Sequence, residues 1–77
     1  MEDERERYSL EEDIKCLQEA GKIVLARTIT INGWAILWYD KSGYTVTYTE
    51  RHGRGVGGAR SFDDGMDEYV STIRRLM

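Results

Sequence analysis

Between Lys22 and Glu50 the chain alternates β-branched and aromatic stretches with two compact turn signals, and no other feature constrains its fold as much. Asn32-Gly33 is the strongest two-residue hairpin signal, because both residue types tolerate the positive φ of a type I′ turn. It predicts that Lys22–Ile31 folds back on Trp34–Asp40, with Ile31 opposite Trp34 and Ile29 opposite Ile36. Asp40-Lys41-Ser42-Gly43 reads as a type I turn, Asp first and Gly fourth. A glycine bulge makes this a three-residue loop, which sets Trp38 opposite Val46 and Ile36 opposite Tyr48 and makes Tyr44–Glu50 the third strand. A two- or four-residue loop would instead put Tyr44, Val46 and Tyr48 on the threonine face of the first strand. Burial of the larger apolar set favours the bulged loop. The expected core face is then Ile29, Ile31, Trp34, Ile36, Trp38, Val46 and Tyr48. The expected wetter face is Thr28, Thr30, Ala35, Leu37, Tyr39, Thr45, Thr47 and Thr49.

Helices flank this meander. Ser9-Leu10-Glu11-Glu12 fits a capping box. Leu10, Ile14 and Leu17 form one apolar stripe, and Gly21 supplies a stop, so a helix is expected over about 10–20, with residues 1–8 as a flexible acidic tail or a loose helical extension of it. Residues 51–60 hold four glycines and three arginines and read as a loop. Ser61 or Asp63 then caps a second helix whose apolar face is Phe62, Met66, Tyr69, Val70, Ile73 and Leu76, with Arg74 and Arg75 in the last turn. The prediction is one α+β domain over 9–77: helix, three-stranded antiparallel meander, helix, with both helices packed on one sheet face.

At 77 residues such a domain buries only about 60% of its unfolded surface and has no room for a separate cofactor domain. The single Cys16 leaves no internal disulfide and no Cys-based zinc cluster. No apolar run approaches the roughly 20 residues that span a bilayer. The charged start, Met1 to Arg7, is unlike a signal peptide, so a cytoplasmic location is expected. Catalytic constellations are missing from the pattern. His52 stands alone in the glycine loop, with no second ligand type spaced to form a metal site. Cys16 lies beside the Leu17 stripe and is expected to be a small, partly buried side chain. Gly53-Arg54-Gly55 precedes a helix, as a phosphate cradle would, but Asp63 and Asp64 at that helix start would repel a phosphate. The expectation is a protein that is not an enzyme and carries no cofactor.

Charge is segregated along the chain. Residues 1–20 carry eight acids and three bases, residues 21–60 two acids and six bases, and residues 61–77 four acids and two bases. Two helical acid sets follow, Glu11, Glu12 and Asp13, and Asp63, Asp64, Asp67 and Glu68; together they are the expected partner-binding residues. Arg51, Arg54 and Arg60 in the glycine loop are an alternative grip on a nucleic-acid backbone. Leu37 and Tyr39 on the threonine face are an alternative protein contact, and a homodimer could form through them or through a sheet edge.

The element order resembles the double-stranded-RNA-binding domain, but that family grips phosphates with a lysine-rich second-helix start, where this chain has Ser61-Phe62-Asp63-Asp64. Val56-Gly57-Gly58-Ala59-Arg60-Ser61-Phe62-Asp63 is similar to the strand-to-helix segment of a type I-F inhibitor among the small phage-encoded anti-CRISPR proteins. That resemblance implies a non-enzymatic inhibitor that binds a Cas effector complex, in the host cytoplasm, and blocks DNA binding or nuclease recruitment. The acidic helices suit such a partner, because nucleic-acid channels are lined with Lys and Arg.

Overall fold

A computed structural model describes residues 2–50 and 53–77, with side chains described from Leu10 onward. The elements are α1 (Glu2–Glu19), β1 (Ile23–Thr30), β2 (Gly33–Asp40), β3 (Gly43–Glu50), β4 (Gly53–Ala59) and α2 (Phe62–Leu76). The strands form one antiparallel sheet in the order β1-β2-β3-β4. The class is α+β as expected, but the sheet has four strands, not three. The fourth is drawn from the glycine-rich stretch that reads as a loop, because backbone pairing to β3 from Tyr44↔Ala59 to Glu50↔Gly53 does not depend on side chains.

The two helices lie on opposite faces of the sheet, not on one. Alternate residues of β2 divide the core. Trp34 and Ile36 pack with Leu10 and Ile14 of α1, supported by Leu17, Val24 and Trp38. Ala35 and Leu37 pack with Val46 and with Tyr69 and Leu76 of α2, supported by Ala26, Tyr44, Tyr48, Met66 and Ile73. Consecutive strand side chains point to opposite faces, so a helix on each face buries β2 on both sides from Gly33 to Leu37.

The expected face assignment of β3 is overturned for the same reason. The β2–β3 loop is Lys41-Ser42 alone, with Asp40↔Gly43 closing it and Leu37↔Val46 and Ala35↔Tyr48 following. This is one residue off the bulged register, and a one-residue slip exchanges the faces of a strand. Tyr44, Val46 and Tyr48 therefore join the threonine face of β1 under α2, and Thr45, Thr47 and Thr49 join Trp34, Ile36 and Trp38. The Trp38 Nε1–H donates to Thr47 Oγ1 at 2.6 Å, which satisfies the indole on this face. The first hairpin also closes earlier than the Asn32-Gly33 signal suggests. Thr30↔Gly33 is the closing pair, Ile29 faces Trp34, and Ile31 sits in the loop at 85% exposure rather than in the core.

Helix ends follow local chemistry. α1 begins at Glu2, well before the Ser9 signal, so residues 2–8 are a helical extension and not a flexible tail. It stops where predicted: Gly21 has φ 82°, and the Lys22 N–H donates to Leu17 O at 2.9 Å. Ser61 is the N-cap of α2, its Oγ accepting the Asp64 N–H at 3.2 Å. The buried line of α2 is Gly65, Tyr69, Thr72 and Leu76, with Phe62 and Val70 exposed. Gly65 sits on that line because a Cβ there would press on Tyr44 Cβ at 2.9 Å.

Candidate functional site

The helical acids do not form one surface. Those of α1 lie on one face of the sheet and those of α2 on the other, a direct consequence of the split core. Glu11 Oε1 accepts from Arg27 at 2.8 Å and Asp13 pairs with Arg54 at 3.1 Å, so both carboxylates tie α1 to the sheet, one to β1 and one to β4. Arg54 also lies 5.9 Å from the Trp34 ring centre, which covers the outer end of that core. Glu12 is exposed on α1.

On α2 the acids divide again. Glu68 is half-buried and reaches over β4: a Cβ added to Gly57 would meet its Oε1 at 2.6 Å. Asp63, Asp64 and Asp67 are exposed, and none of the three has an ion-pair partner among the described residues. Asp63 and Asp64 occupy the first turn, where the helix dipole stabilises them. Phe62 and Val70 are exposed on the same helix, at 50% and 38%. Outward carboxylates flanked by exposed apolar groups are suited to a macromolecular contact, with charge providing orientation and the apolar groups providing buried area.

The alternative residues scatter. Leu37 is fully buried beneath α2 and offers no contact surface, in contrast to its expected exposure. Tyr39 remains exposed at the sheet end, its ring centre 5.0 Å from that of Tyr44, which stacks edge-on to Phe62 at 5.8 Å. Arg54 belongs to the ordered strand β4 and to Asp13, so the expected arginine loop is absent as a loop; Arg60 is exposed between β4 and α2. Arg51 and His52 lie outside the described residues. Cys16 is exposed on α1 rather than partly buried, because the stripe that meets the sheet is Leu10-Ile14-Leu17 and Cys16 lies off it.

A shallow open cleft of about 420 Å³ runs between Gly21–Ile23 and Tyr39–Ser42. Its charged wall is Asp40, which Lys22 Nζ approaches at 2.6 Å and whose Oδ1 accepts the Ser42 N–H at 2.8 Å. The Lys22 hydrogen bond, then the Ser42 N–H, hold the Asp40 carboxyl below its ordinary value. It therefore stays ionised and closes the β2–β3 turn, and it is not poised to donate a proton. Among the described residues no three His, Cys, Asp or Glu side chains converge as metal ligands, and no helix is long and apolar enough to cross a membrane.

Sequence reasoning missed the open rims of the sheet. Ile29, expected in the core, is 45% exposed on the outer strand β1 together with Ile23 and Leu25, and Val56 is exposed on β4. The apolar alternation of β1 was visible, but its position at an outer edge follows only from the strand order. No protein-family model, characterised protein or solved structure matches this chain.

Proposed function

We infer that this protein acts without chemistry of its own, by laying the outer face of α2 against a basic, nucleic-acid-binding surface of a macromolecular partner. The observation that carries this reading is the set of carboxylates of Asp63, Asp64 and Asp67, unpaired among the described residues, beside the exposed Phe62 and Val70. A partner channel lined with Lys and Arg for phosphate presents the complementary charge. The segment similar to a type I-F anti-CRISPR inhibitor, residues 56–63, runs from β4 into α2 and ends on the first of these acids, Asp63. The partner class proposed is accordingly a Cas effector complex, and the action is exclusion of DNA or of the recruited nuclease.

The test is displacement of target DNA from a type I-F effector complex, followed by gel shift. The protein is expected to displace DNA, and Asp63→Lys, Asp64→Lys and Asp67→Lys combined are expected to abolish displacement with the circular dichroism spectrum unchanged. Glu11→Gln with Asp13→Asn is the control and should still displace, since those carboxylates are spent on Arg27 and Arg54. Failure of the folded wild-type protein to displace DNA rejects the inhibitor reading. Displacement that survives the triple reversal rejects the α2 face.

A further inference from the structure

We propose that the outer edge of β4 pairs antiparallel with the same edge of a second copy, joining two four-stranded sheets into one of eight strands. The inference is independent of the α2 partner face, and its failure would leave that reading intact. Among the described residues β4 is an edge strand with no strand beyond it, and it pairs with β3 without interruption from Gly53 to Ala59. Antiparallel pairs alternate between hydrogen-bonded and non-hydrogen-bonded, so every second residue of β4 turns its N–H and C=O outward. Counted from the pair that closes the hairpin, Glu50↔Gly53, these are Arg54, Val56 and Gly58.

Edge strands in monomers are blunted by bulges, proline or unpaired charge. β1, the opposite edge, carries such a device: a bulge between Val24 and Ala26. β4 has no bulge and no proline, and its one charged residue, Arg54, is engaged by Asp13.

A two-fold axis at Val56 gives a self-complementary register. Val56, 69% exposed, meets its own copy. Arg54 falls opposite Gly58 of the second copy, so no like charges oppose each other. Gly58 is not required by its own fold: its φ is not positive, and a Cβ there would meet nothing nearer than Tyr44 O at 3.9 Å. The bare backbone leaves room for the Arg54 stem of the other copy.

The other face supplies the charge match. Gly55 falls opposite Gly57 of the second copy. Over Gly55 stands Tyr48, with the Arg75 guanidinium 5.1 Å from its ring centre. Over Gly57 stands the carboxylate of Glu68. The axis therefore turns Arg75 of each copy toward Glu68 of the other, twice per dimer. This choice of occupant follows from the sequence being its own complement in that register. A strand from an unrelated protein would need to reproduce both the Val56 contact and the alternation of the two charges.

The test is sedimentation equilibrium of the full chain across a range of concentrations. The wild-type protein is expected to approach twice the 8.9 kDa chain mass. Val56→Lys, Glu68→Arg and Arg75→Glu are each expected to weaken association by about tenfold or more, and the Glu68→Arg/Arg75→Glu exchange to restore it. Leu25→Lys on β1 should change nothing. In the wild-type protein the amides of Arg54, Val56 and Gly58 should gain hydrogen-exchange protection as concentration rises, a readout that does not depend on any variant folding. A monomer at all concentrations overturns the proposal. So does a dimer that survives Val56→Lys, or one lost with Leu25→Lys. Failure of the charge exchange to restore association overturns the register.

Discussion

Two turn residues show how single side chains, or their absence, set the sheet. Gly43 has φ 129°, and a Cβ there would meet the Ala59 carbonyl oxygen at the end of β4 at 2.7 Å. Gly43→Ala is expected to cost about 1–3 kcal/mol of stability, read as a lower urea midpoint with unchanged slope. Asp40 closes the same turn through Ser42 and Lys22. Its folded pKa lies below the unfolded one, so the stability it adds is present above the unfolded value, about 3.9, and is lost as pH falls through the folded value. Asp40→Asn should therefore lower the urea midpoint at neutral pH, and the gap to wild type should close as the pH falls below about 4. Asp first and Gly fourth were legible as turn chemistry from the residues alone. The loop length was not, because both loop lengths use the same residues and differ only in which strand face they bury.

At the scale of elements, two helix-end signals were the most faithful, while Asn32-Gly33 foretold the β1–β2 hairpin but not its closing pair, Thr30↔Gly33. The Gly21 stop and the Ser61 cap depend on hydrogen bonds within a few residues, and both occur as read. β4 was illegible because Gly53, Gly55, Gly57 and Gly58 have little intrinsic strand preference; the neighbouring ladder holds them. A quieter sign was present in Gly33, Gly43 and Gly53, which recur at ten-residue intervals and each begin a strand. β2 is where the two packing layers meet, so its residues carry the largest expected losses. Leu37→Ala should cost about 2–5 kcal/mol in chemical denaturation, whereas placement on a wetter face would make it nearly neutral. The α2 layer also has a polar anchor: the Thr28 hydroxyl and Tyr69 hydroxyl hydrogen-bond at 2.6 Å. Tyr69→Phe should lose about 0.5–1.5 kcal/mol, measured the same way, and Thr28→Val combined with it should recover part of that loss.

Across the whole molecule, the helix on each face decides both stability and surface. The Glu11–Arg27 pair is about half exposed on each partner, so Glu11→Gln should shift stability by less than about 1 kcal/mol while leaving α1 in place by its apolar stripe. The same arrangement separates acids that a linear reading groups together: Asp13 serves the fold, Glu68 covers Gly57, and Asp63, Asp64 and Asp67 face outward. Residue identity and short-range periodicity were enough to determine the α+β class, the two helices, three of the strands and the acidic character of both helices. Those properties arise from propensities and hydrogen bonds that act over a few residues. Only the tertiary structure decided which face each strand presents, that Leu37 is core and Ile31 is not, and which carboxylates have no ion-pair partner among the described residues. A period-two strand offers two faces of comparable character, and the choice between them is made by the separate helices that arrive from opposite ends of the chain to cover each one.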